Sequence, residues 1–71
     1  MVNEKLFNQK VKDSGYKFDY IAKKMGITTY GLIKKRKGQI PFKVAEINLL
    51  SMMLNLSAGE RDIIFDLKSS N

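Results

Sequence analysis

Side chains suited to covalent or acid–base chemistry are scarce in this chain. It has no histidine and no cysteine, which removes imidazole bases, thiolate nucleophiles, disulfides and thiolate or imidazole metal sites together. The one close carboxylate pair, Asp62 and Asp66, stands four residues apart on an expected helix with no glycine-rich phosphate loop nearby. Solvated helix-surface charges are the simpler reading of such a pair. The expectation is a protein that is not an enzyme and carries no metal or other cofactor.

What the chain has in quantity is positive charge, 13 Lys and Arg against 7 Asp and Glu, for a formal +6. Its placement is uneven. Residues 1–16 hold three bases and two acids, residues 17–43 eight bases and one acid, and residues 44–71 two bases and four acids. Basic residues concentrated in one contiguous stretch of a folding chain point to a polyanionic partner. Within that stretch lie the side chains that could read such a partner: Thr29, Tyr30, Ile33 and Lys34 on one helical face, with Lys37 near its end.

These residues need a scaffold, and 71 residues supply one small domain, expected to span 1–71 with a short disordered tail at Ser69–Asn71. With no covalent staple, local helical packing is the cheapest way to bury its apolar side chains. Periodicity and punctuation predict five helices. The first covers about 3–14, with Leu6, Phe7 and Val11 inward and Gly15 as its stop. The second covers about 18–25, with Ile21, Ala22 and Met25 on one stripe and Gly26 after it. Thr28 is placed to cap a third that runs to about residue 36 and ends at Gly38.

A loop through Pro41 then returns Ile40 and Phe42 toward the core. The fourth helix, about 43–54, aligns Val44, Ile47, Leu50 and Leu54 but shows no good side-chain cap. The fifth opens on a capping box, Ser57 with Glu60, and presents Ile63, Ile64 and Leu67. The longest nearly apolar stretch, 47–56, is too short to span a bilayer and the first ten residues lack a secretory h-region. A cytoplasmic protein with no membrane association is expected.

The run Ile21-Ala22, Gly26-Ile27-Thr28, Leu32 four residues after the cap and Gly38 ten after it resembles the helix-turn-helix of the lambda-type phage repressor and Cro family. The resemblance covers essentially the whole chain and implies a compact all-α, five-helix, lambda-repressor-like domain with the helix-turn-helix at helices two and three. It also implies a small transcriptional regulator whose third helix enters the major groove of double-stranded operator DNA. Carried over residue by residue, Thr29, Tyr30 and Lys34 would meet base edges. Lys17, Thr28, Lys35, Lys37, Gln39 and Lys43 would hold the sugar–phosphate backbone. Homodimerisation fits the same picture.

The chain departs from the family's pattern at three places. Lys17 and Phe18 replace a hydroxyl cap followed by Gln, Ile33 is apolar where a polar reader is common, and Lys35-Arg36 falls where an apolar residue usually closes the helix onto the core. Phe18, Tyr30 and Ile33 together would form an exposed apolar patch. A patch of that kind suits a protein partner, and the alternative reading is an antirepressor that docks the same helix face on a cognate repressor.

Overall fold

The computed structural model describes residues 2–67, so the expected tail at 69–71 lies outside the described residues. Among those described the protein is all-α, with five helices: α1 (Glu4–Ser14), α2 (Phe18–Met25), α3 (Thr29–Arg36), α4 (Val44–Met53) and α5 (Ala58–Phe65). None of them is long and apolar enough to cross a membrane.

Three of the helices open on a side chain that takes up an orphan N–H, while α2 begins at Lys17 with no side-chain cap. Asn3 accepts from Leu6 N–H at 3.1 Å and opens α1. Thr28 opens α3 by accepting from Gly31 N–H at 3.0 Å. Ser57 and Glu60 form the expected reciprocal box, with Glu60 N–H donating to Ser57 Oγ at 3.1 Å and Ser57 N–H to Glu60 Oε1 at 2.9 Å. Ser57 N–H, and then the Lys10 ammonium at 3.2 Å, hold the Glu60 carboxyl below the ordinary carboxylate range. Ser57→Ala should lower stability by about 1 kcal/mol in a denaturant melt.

The start of α4 has no side-chain cap from its N-cap residue, as expected, but it is closed from the other direction. Lys43 has no acceptor to offer, but Lys43 N–H donates to Glu46 Oε1 at 2.9 Å, so half of a capping box is made from inside the helix.

Phe7, Ile21, Leu32, Leu50 and Ile64 form the fully buried centre, with Ala22, Ile47, Leu54 and Phe65 around them. Phe42 comes back from the loop to meet Phe65 edge-on at 5.0 Å and Phe7 at 6.2 Å between centroids. Asn3 N–H closes the globule by donating to the Ile64 carbonyl at 2.8 Å.

Four apolar positions depart from expectation. Val44 is 75% exposed because the inward place in the first turn of α4 goes to Glu46 and Ile47. Ile63 is 57% exposed, since the inward stripe of α5 runs through Ile64 and Phe65 and leaves the preceding isoleucine on the other side. Ile40 and Leu67 are also exposed, so only Phe42 of the loop pair reaches the core. Asp62 and Asp66 share no helix face: α5 stops at Phe65 and Asp66 adopts the left-handed conformation beyond it, at φ 55°.

Candidate nucleic-acid interface

Two helices and the turn between them position the basic segment. Gly26 leaves α2 at φ 75°, a conformation that costs a side-chain-bearing residue more than glycine. Ile27 N–H reaches back to the Ala22 carbonyl and Gly26 N–H to that of Lys23, both at 3.0 Å, which fixes the angle at which the chain leaves α2. Thr28 then starts α3 within two residues. Ala22 is buried beside the crossing, where its small side chain admits close approach, and Leu32 is wholly buried beneath α3.

With Leu32 as the anchor, the 3.6-residue repeat turns Tyr30, Lys34 and Lys37 to the opposite side and Ile33 to the flank, while Thr29 is left open in the first turn. Thr29 and Lys37 are exposed, Ile33 and Lys34 half-buried, and Tyr30 is 65% exposed. The Lys34 ammonium lies 4.6 Å from the Tyr30 ring centroid, a cation–π contact that holds the charge against the helix surface. No acidic residue occurs anywhere in α3. Thr28 and Lys17 are exposed at the N-termini of α3 and α2, and Gln39 and Lys43 on the connection to α4. That connection leaves α3 through Gly38 at φ 81°, with Gln39 N–H donating to the Lys34 carbonyl at 2.9 Å.

Lys35 does not join this surface. It is 7% exposed, and its ammonium donates to Glu46 Oε1 at 2.8 Å and to the Pro41 carbonyl at 3.3 Å. It follows Leu32 by three residues, so the stripe that buries the leucine carries the lysine inward as well. That spacing was the available signal, and the basic composition of the segment masked it. Glu46, which sequence reasoning left out, thus binds α3, the loop and the first turn of α4 through one oxygen atom. Burial pushes its carboxyl upward, but the Lys35 ammonium and Lys43 N–H outweigh that and hold it below the ordinary range.

Phe18 does not join it either. The ring packs against the core, and the Arg36 guanidinium lies 4.9 Å from its centroid. Arg36 also donates to Asn8 Oδ1 at 3.2 Å and has Glu4 Oε1 3.9 Å from Nε, which makes no hydrogen bond and is supported by that charge alone. The three-residue apolar patch is therefore not assembled. Tyr30 remains on the outward face and Ile33 on its flank, while Phe18 lies beneath an arginine. Lys35 and Arg36 tie the end of α3 to Glu46 and to Glu4 and Asn8.

A second aromatic feature had no sequence reading. Tyr16 and Tyr20 are stacked at 5.4 Å between centroids, both partly exposed, and Lys24 reaches 5.7 Å from the Tyr20 ring. Their spacing of four residues each is the signal that would have found the ladder.

The chain matches no protein-family model, no curated protein and no solved structure.

Proposed function

We propose that the protein is a small cytoplasmic transcriptional regulator, resembling Cro-type phage repressors, that binds double-stranded operator DNA with α3 in the major groove. One observation carries this reading: α3 turns outward a face of hydroxyls and ammonium groups, free of acidic residues, at the centre of the most basic part of the chain. Thr29, Tyr30 and Lys34 are assigned to base edges. Thr28, Lys17, Lys37, Gln39 and Lys43 are assigned to the backbone, where exposed N-terminal helix turns and flexible ammonium groups suit phosphate oxygens. Lys35 is withdrawn from that set because its charge is spent on Glu46. No catalytic role is assigned.

Binding to a random duplex, followed by fluorescence anisotropy at several salt concentrations, tests the reading. Each neutralised phosphate releases condensed counterions, so log affinity should fall steeply and linearly with log salt. Lys34→Gln should weaken binding and reduce that slope by about one. A flat plot for the wild-type protein, or no binding at low salt, would overturn the assignment.

A protein partner on the same face is the second reading, and the exposure of Tyr30 is the observation that favours it. Under that reading Tyr30→Ala abolishes partner capture and Lys34→Gln leaves it intact.

A further inference from the structure

We infer that α3 selects its DNA by thymine methyl groups, and that Ile33 is the side chain that determines this specificity. The inference rests on the proposed DNA reading and deepens it. In the major groove guanine is matched best by a forked guanidinium or an ammonium, adenine by a side-chain amide, cytosine by a carboxylate, and thymine by apolar contact with its C5-methyl group. The outward face of α3 contains no amide and no carboxylate. Its single guanidinium, Arg36, is turned away over Phe18 and bonded to Asn8. Paired readout of adenine and carboxylate readout of cytosine are thus absent from this helix, and guanine is left to the Lys34 ammonium beside Tyr30.

The hydroxyls of Thr29 and Tyr30 can bond to any base and discriminate little, so the remaining selective chemistry is apolar. Ile33 lies in helical projection between Thr29 and Lys37, inside the polar face and half-buried. Pressed into a groove lined with hydrogen-bonding edges, a branched aliphatic side chain there gains from one feature alone, the thymine methyl. The methyl of Thr29, one turn before it, extends the same apolar strip. A site for this protein should therefore carry thymine under Ile33, with guanine within reach of Lys34.

The test uses the wild-type protein and the duplex recovered by repeated selection from a randomised pool. Each thymine is exchanged in turn for deoxyuridine, which removes the methyl and leaves every donor and acceptor in place. One or two exchanges should weaken wild-type binding about three- to fivefold, the scale of one methyl transferred out of water. Ile33→Ala, checked for an unchanged melt, should lose most of the discrimination between thymine and deoxyuridine at the exchange to which the wild-type protein is most sensitive. If every exchange leaves wild-type affinity unchanged, or if Ile33→Ala keeps the full discrimination, the inference is wrong while DNA binding stands. If no duplex is enriched and random DNA binds without salt dependence, the DNA reading itself fails and takes the inference with it.

Discussion

Leu32→Ala should bring the domain close to unfolding, at a cost of about 2 to 5 kcal/mol. Leu32 has no exposed surface and lies where α3 meets the core, so truncation removes its contacts with no water able to fill the void. A domain of 71 residues has roughly 4 to 10 kcal/mol in total, at the usual margin per residue. The midpoint of a thermal melt should fall by roughly 10 to 30 °C for a domain of this size. Because Leu32 is the anchor of α3, the proposed DNA binding should fall with the folded fraction, and excess stabilising osmolyte should restore both together. A melt within a degree or two of wild type would show that α3 is held some other way.

Where one force dominated, the sequence was sufficient. The caps Thr28 and Ser57 were legible because a hydroxyl that can reach an N–H two or three residues ahead has few competing uses. Gly26 and Gly38 were legible because they stand at turns that require positive φ. The stripes through Phe7, Ile21 and Leu32 were legible because a 3.6-residue repeat admits one inward face.

The misreadings share a different cause: the inward direction was decided by a neighbouring element rather than by the residue's own type. Residue type assigned Lys35 to solvent and Val44 to the core. The first turn of α4 instead presents Glu46 to α3, which draws the lysine in and leaves the valine out. Phe18 is covered for a related reason, since Arg36 comes from the far end of α3 to lie on its ring, a contact between residues separated by the whole helix-turn-helix. On the candidate interface the outward set Tyr30, Lys34 and Lys37 was legible from Leu32 alone. That Lys34 rests on Tyr30 was not, because two adjacent stations on one helix face do not fix a rotamer.

Lys35→Met should cost about 3 to 5 kcal/mol, comparable with Leu32→Ala despite the preserved side-chain volume, because it leaves the Glu46 carboxylate buried without its cation. The carboxylate would keep only Lys43 N–H, and protonation would become its easiest relief. Glu46→Gln should cost less, since an amide oxygen can still accept from Lys43 N–H and from the ammonium. The double variant Lys35→Met with Glu46→Gln should be more stable than Lys35→Met alone, having no buried charge left to compensate.

Acid separates the variants further. In the folded protein the Glu46 carboxyl titrates below its ordinary value near 4.5, so its contribution is complete above that pH and is lost as the pH falls through the lowered value. Glu60 acts in the same direction through Ser57 N–H and Lys10. The stability gap between wild type and Glu46→Gln should therefore be largest near neutrality and shrink below about pH 4.5, where the carboxyl of the unfolded chain takes up its proton before the folded one does. Denaturant melts of the four proteins at pH 7 and at two acidic values measure this directly. Equal stability of Lys35→Met and wild type at pH 7, or a gap to Glu46→Gln that grows on acidification, would show that the contact between α3 and α4 is held by packing and not by the ion pair.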